Sequence, residues 1–236
     1  MTILAKRQDH LLLEQLSDAE VVRRVCAGES ELYELIMRRH NRRLFRLARS
    51  ILGNDADAEE VVQETYVSAY FKLKQFRGPD GFATWLYRVA TNEALMRRRT
   101  QKRTQLIAVC VSDAAENTEQ EPASGMDPER LSGNPESDLY RLQLQCLLEK
   151  AVDGLPEVYR TAFVLREIEQ LSTAETVQTL SIEEATVKTR VHRARRLLRQ
   201  QLTGELNVAL DGIYHFDGDR CDRIVARVFA RLDCVG

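Results

Sequence analysis

Basic and polar side chains gather most densely between Ser181 and Arg199 (SIEEATVKTRVHRARRLLR). At about 100° per residue, Lys188, His192, Arg195, Arg196 and Arg199 fall on one side of a helix, with Val187, Val191, Ala194 and Leu198 on the other. Such a row of cations offers non-covalent chemistry. Its guanidinium and ammonium groups pair with phosphate oxygens, and one that reaches a guanine edge can read it. Covalent chemistry has no comparable candidate. The chain lacks a phosphate-binding G-x-x-x-x-G-K-[ST], an H-E-x-x-H and a nucleophile elbow, and His10, His40, His192 and His215 are dispersed. His215, Cys221 and Cys234 stand at irregular spacing for a zinc site, so no metal, no cofactor and no enzymatic activity is expected.

A basic helix alone fits a solvated face of a bundle as well as a nucleic-acid reader, so the elements that position it decide. Ser172 with Glu175 and Ser181 with Glu184 are two S-x-x-E capping boxes, each able to satisfy two orphan backbone donors at a helix start. The spacing predicts a short helix from Thr173 to about Leu180, a tight turn and then the long basic helix. That is the order of a helix-turn-helix.

Proline and glycine divide the rest. Ser17 and Glu20 form another capping box, and Gly28 ends that short helix. A second helix is predicted from about Ser30 to Leu52, where Gly53 and Asn54 break it, and a third from an Asp57 N-cap to about Lys74. Gly78, Pro79 and Gly81 punctuate a loop, and a fourth helix spans about Phe82 to Arg99. Beyond it, Ser112 to Asp138 holds eight acids against the single Arg130 and few large apolar residues. It cannot bury enough surface to order itself. Leu139 to Val152 is helical again, Gly154 ends it, and Pro156 opens the next helix. In the tail, Asp219 to Leu232 reads as an amphipathic helix with Ile224, Val225, Val228, Phe229 and Leu232 on one face.

The expected fold is therefore all-α: two small helical modules, 17–104 and 139–203, joined by a flexible acidic linker, 105–138, with a C-terminal extension, 204–236. Net charge is only −2, from 34 basic and 36 acidic side chains, yet arginines crowd Arg38 to Arg49, Arg97 to Arg103 and Arg190 to Arg199. Segregation of this kind predicts local basic surfaces apart from an acidic spacer. The longest apolar run, Leu106 to Val111, is far short of the roughly 20 residues of a membrane span. The N-terminus reaches Lys6, Arg7 and Asp9 without a signal-peptide core. A cytoplasmic protein with no membrane insertion is expected, and its five scattered cysteines are read as idle thiols rather than a disulfide framework.

Four segments carry a family resemblance: Asp57 to Tyr66 (DAEEVVQETY), Phe82 to Asn92 (FATWLYRVATN), Leu155 to Phe163 (LPEVYRTAF) and Thr186 to Arg195 (TVKTRVHRAR). In order and spacing, over roughly Asp18 to Leu202, they resemble the bacterial extracytoplasmic-function (group 4) RNA polymerase sigma factors of the RpoE-like kind. A helix-turn-helix alone fits a self-sufficient repressor or activator equally well; the segments of the first module discriminate. One departure is the turn Leu180-Ser181-Ile182, where that family often has a glycine after the leucine.

The resemblance implies a role for each segment. The first segment docks core RNA polymerase through a helix face holding Glu60, Gln63, Glu64 and Val67, although by itself that face also reads as solvated. The second segment, with the loop before it, reads and melts the minus-ten element. There Phe76 and Asn92 would line one pocket for a flipped base, and Arg97, Arg98, Arg99, Lys102 and Arg103 would hold phosphates. For Phe76 alone, packing of the loop onto the core is equally compatible, and Trp85, Leu86 and Val89 are assigned mainly to the core. In the helix-turn-helix, Thr186, Lys188, Thr189, His192 and Arg193 would enter the major groove at the minus-thirty-five element, with Arg195, Arg196 and Arg199 as phosphate clamps. Implied partners are core RNA polymerase, promoter DNA and an anti-sigma factor.

Overall fold

The computed structural model describes residues 16–76, 81–111, 135–201, 216 and 218–233, with side chains outside 105–111 and 135–143. Among these residues all regular structure is helical. The expected linker falls partly within it: helices occupy 105–111 and 135–138, and 112–134 lie outside the described residues.

The first module is built from α1 (Asp18–Cys26), α2 (Tyr33–Leu52), α3 (Asp55–Lys72) and α4 (Phe82–Val111). Ser17 caps α1 by accepting from the Glu20 N–H at 3.3 Å, but the reciprocal half of the expected capping box is missing. The Glu20 carboxylate accepts from Arg23 Nε at 2.9 Å instead, an exposed ion pair outcompeting the backbone donor. The N-cap of α3 is Asn54, not Asp57: its Oδ1 accepts from the Asp57 N–H at 2.8 Å. Asp57 thus sits in the first turn, where the helix dipole still favours it. Helix α4 runs twelve residues past the expected Arg99 end because no proline or glycine follows Gly81 until Pro122.

Helices α2, α3 and α4 pack on one another around fully buried Phe45, Tyr33, Tyr66 and Leu86. The two tyrosines meet edge to face with ring centroids 6.1 Å apart. Each is also tied to backbone, the Tyr33 hydroxyl donating to Tyr66 O at 2.8 Å and the Tyr66 hydroxyl to Met37 O at 3.2 Å. Two aromatic hydroxyls so deep in a core need such acceptors.

The second module comprises α5 (Pro135–Asp153), α6 (Glu157–Phe163), a π-helical turn (Val164–Ile168), α7 (Thr173–Leu180) and α8 (Glu184–Gln201). Pro156 is the N-cap of α6 rather than its first residue. The Ser172–Glu175 capping box is complete, with Ser172 N donating to Glu175 Oε2 at 2.8 Å and Glu175 N to Ser172 Oγ at 3.2 Å. The second expected box is absent. Ser181 ends α7 in the left-handed region at φ 52°, so it cannot also cap α8. The basic helix starts at Glu184, where Glu183 O accepts from Val187 N at 3.1 Å. Ser181 thus adopts the conformation for which a glycine is the easier residue.

The two modules are packed together. Helix α6 and the π-helical turn lie against α2, and α7 lies against α4. Arg46 and Glu169, both almost wholly buried, meet at 3.1 Å across this junction. Arg49 grips Asp153 with two nitrogens at 2.9 and 3.1 Å. Arg160 Nε donates to Ser50 O at 2.6 Å. Of the arginine crowd from Arg38 to Arg49, expected as a basic surface, Arg39, Arg46 and Arg49 are thus drawn into the packing on Asp18, Glu169 and Asp153, while Arg38, Arg42 and Arg43 are exposed.

A final helix, α9 (Gly218–Asp233), corresponds closely to the amphipathic segment expected in the tail. It lies across α3 and α2 and buries Ile224, Val225 and Val228. His215 and Cys234 lie outside the described residues.

Candidate functional site

Helix α8 presents its apolar seam inward, with Val187, Val191, Ala194 and Leu198 buried against α6 and α7. Lys188, Thr189, His192, Arg193 and Arg196 are exposed on the opposite side, and Thr186 is half-buried at its start. All six residues expected at the minus-thirty-five element therefore lie on one helix, five of them open to solvent. Lys188 pairs with Glu184 one turn earlier at 2.6 Å. Arg193 is held more firmly: its Nη1 donates to the Tyr159 hydroxyl at 3.0 Å and its guanidinium lies 6.0 Å from the centre of that ring. A shallow cleft lined by Val158, Tyr159, Ala185, Thr186, Thr189 and Arg193 runs between α6 and the start of α8. Val158 and Tyr159 have one signal in the sequence, their place in the LPEVYRTAF segment. Arg195, expected to clamp phosphate, pairs with Glu167 at 2.8 Å.

On α4, Asn92 is exposed, and Arg88, Met96, Arg99 and Arg103 share its side at helical spacing and are exposed with it. Only their spacing marks Arg88 and Met96 in the sequence, each four residues from Asn92; Met96, 58% accessible, is an exposed methionine between that amide and the cations of this side. The expected phosphate contacts divide. Arg99, Lys102 and Arg103 face solvent, but Arg97 and Arg98 do not serve as free surface cations. Arg97 Nε pairs with Asp57 at 2.9 Å, and its other nitrogens reach Glu60 and Glu64. Arg98 pairs with Glu157 at 2.9 Å and donates to Ile51 O, joining α4 to both modules. Each is directed inward because an acidic or carbonyl partner lies within reach on a neighbouring helix.

Phe76 does not share a pocket with Asn92 among the described residues. Its ring packs on Phe82 and Trp85, each with centroids 5.5 Å away, and borders a cleft with Ala19, Val22, Cys26 and Leu73. Asn92 lies two turns of α4 beyond Trp85, about 10 Å along the axis. Leu86 is core as expected, whereas Trp85 and Val89 are only half-buried.

The acidic face of α3 is also divided. Glu60 is exposed and Glu64 half-exposed beside Arg97, but Gln63 is only 5% accessible. Gln63 is therefore not an open docking residue in this conformation. Glu59, one residue before Glu60, faces α9 and meets Arg223 at 3.5 Å and Arg227 at 3.4 Å.

Residues 36–104 match the Sigma-70 region 2 family and residues 147–198 the Sigma-70 region 4 family. The ECF RNA polymerase sigma factor SigW of Bacillus subtilis is 33% identical over 183 residues, covering 77% of this chain and 94% of SigW. The ECF RNA polymerase sigma-E factor of Haemophilus influenzae is 29% identical over 191 residues, covering 81% and 98% respectively. Among solved structures, the sigma factor RpoE of Bartonella quintana, crystallised in complex with the anti-sigma factor NepR, shares the fold with a TM-score of 0.51 at 21% identity, over 69% of this chain and 91% of that one. With both sigma modules matched in order and a relative matched over nearly its whole length, the chain belongs to the ECF RNA polymerase sigma factors.

Proposed function

We propose that this sigma factor directs core RNA polymerase to its promoters by dividing the work among three helices. Helix α8 reads the minus-thirty-five element in the major groove with Lys188, Thr189, His192 and Arg193, and Thr186 and Arg196 flank them. Helix α4 lies along the minus-ten region, where Asn92 contacts bases and Arg88, Arg99, Lys102 and Arg103 hold phosphates. Helix α3 docks on polymerase through Glu60 and Glu64, whose carboxylates meet basic side chains there. The protein acts without covalent chemistry of its own, in the cytoplasm, and an anti-sigma factor restrains it.

The observation that carries this reading is the exposed cationic start of α8, set by a buried apolar seam and braced at Arg193 by Tyr159. A recognition helix presents its N-terminal part to base edges in this way. Run-off transcription with purified core polymerase on a genomic fragment library tests it. Promoter-specific transcripts that appear only when the protein is added are expected. Tight, specific DNA binding that needs no polymerase, without any new transcript, would instead mark a self-sufficient regulator.

A further inference from the structure

Just before and at the start of α9, Phe216, Arg220, Cys221, Asp222 and Arg223 each have a partner on α2 or α3. Phe216 stacks on Phe45 with ring centroids 5.3 Å apart. Arg220 lies over the same ring at 4.3 Å and pairs with Asp55 at 2.9 Å. Cys221 Sγ accepts from Asn41 Nδ2 at 3.0 Å, and Asp222 pairs with Arg38 at 2.8 Å. One and two turns further on, Arg223 and Arg227 reach Glu59. Generic amphipathic packing would match hydrophobic faces alone; this helix adds polar and ionic pairs to them.

The surface it covers is the flank of the helix proposed to dock polymerase. Gln63 stands one turn after Glu59, on the same side of α3, and Glu60 is the next residue along the chain. The chemistry is also shared, because α9 places arginines on α3 carboxylates just as the polymerase is proposed to do. Yet polar groups along this flank are left unmatched: Gln63 Nε2 and Asn41 Oδ1 are buried without a hydrogen-bond partner among the described residues. A surface built to stay covered would satisfy both amides. One that is exposed in another state lets them recover water or a new partner.

We infer that α9 is a tethered competitor of core polymerase, resting along the flank of the docking face of α3 in the free protein and lifting off when the holoenzyme assembles. The inference rests on the α3 docking reading above. Residues 202–217 keep α9 attached, so it competes at the effective concentration of an intramolecular ligand, and the apparent affinity for core falls by the fraction of molecules in which it is undocked.

A reversible lock tests this in the full-length chain. Asn41→Cys places a thiol beside Cys221, and oxidation should join α9 to α2, with peptide mass mapping to verify the 41–221 bond. The oxidised protein should lose core binding by about tenfold or more, and reduction of the same sample should restore it. Independently, Arg223→Gln with Arg227→Gln, both at exposed positions, should tighten core binding without unfolding the protein. Undiminished core binding by the locked protein, or weaker binding by the double glutamine variant, would overturn the competition. Glu60→Lys with Glu64→Lys separates the two readings: if it binds core normally, the docking face itself is misplaced and the competition falls with it; loss of binding upholds the face that α9 flanks.

Discussion

Arg97 and Arg99 stand two positions apart in one run of cations but serve different ends. Arg97 is bound by Asp57, Glu60 and Glu64, whereas Arg99 faces solvent beside Asn92. A phosphate contact contributes about one unit to the slope of log affinity against log salt concentration. Arg99→Ala is therefore expected to weaken promoter binding of the holoenzyme evenly across sequences and to lower that slope by about 1. Arg97→Ala should leave the slope unchanged and lower the melting temperature, since three carboxylates lose a shared cation. Equal slopes for the two variants, measured by filter binding over a salt series, would refute this division. The sequence showed that arginines gather here; it could not show which of them have a carboxylate within reach, because Asp57 and Arg97 meet only through the packing of α3 on α4. Arg46 and Glu169, 123 residues apart, were illegible for the same reason.

At the scale of the helix, caps were the most legible feature, and each error was a competition between neighbours. Ser172 and Ser181 sit in the same S-x-x-E pattern, but only Ser172 completes its box; Ser181 is used to turn the chain. The two substitutions should then have opposite signs. Ser172→Ala is expected to destabilise the second module by about 1 kcal/mol. Ser181→Gly, which relieves a side chain of the left-handed region, should stabilise it by about 1 kcal/mol. Urea denaturation of both variants checks the signs, and a destabilised Ser181→Gly would show that its backbone is not under strain. Helix existence was read from local spacing, while the end of α4 was not, because nothing in the sequence stops it before Pro122.

The core of the first module adds a pH dependence of its own. Burial raises the pKa of both Tyr33 and Tyr66 above the ordinary value of 10.0. An unfolded chain ionises near that value while the folded core holds both phenols neutral, so their contribution is complete below pH 10 and is lost as pH rises beyond it. Melting temperature should fall progressively above pH 10. Tyr33→Phe should flatten that alkaline limb, although it lowers stability at neutral pH through the lost bond to Tyr66 O. An alkaline limb identical to that of the unmodified protein would assign the loss to other groups.

For the whole molecule, the packing of the two modules conflicts with the geometry of a promoter. Elements centred about 25 base pairs apart are separated by roughly 85 Å of B-form duplex. A compact chain of 236 residues has a radius of gyration of only about 18 Å. The modules must therefore separate for both elements to be read by one molecule, and the 23 residues between Val111 and Pro135 reach at most about 80 Å when extended. Two modules and an acidic connection were legible from composition; their closed arrangement was not, since it depends on pairs such as Arg46 with Glu169 and Arg98 with Glu157. The Arg46–Glu169 pair makes the closed form testable. Glu169 also meets Arg43 at 3.5 Å, and breaking a buried ion pair by removing one partner costs up to about 3–5 kcal/mol. Because the two residues lie on opposite sides of the junction, Glu169→Gln should spend that cost on opening rather than unfolding. Small-angle scattering should show a larger radius of gyration with helical content retained, and core polymerase carrying the variant should open its promoters at a lower protein concentration. A variant that melts earlier while its dimensions stay unchanged would place the pair in the folding of the second module instead of at a hinge between the two.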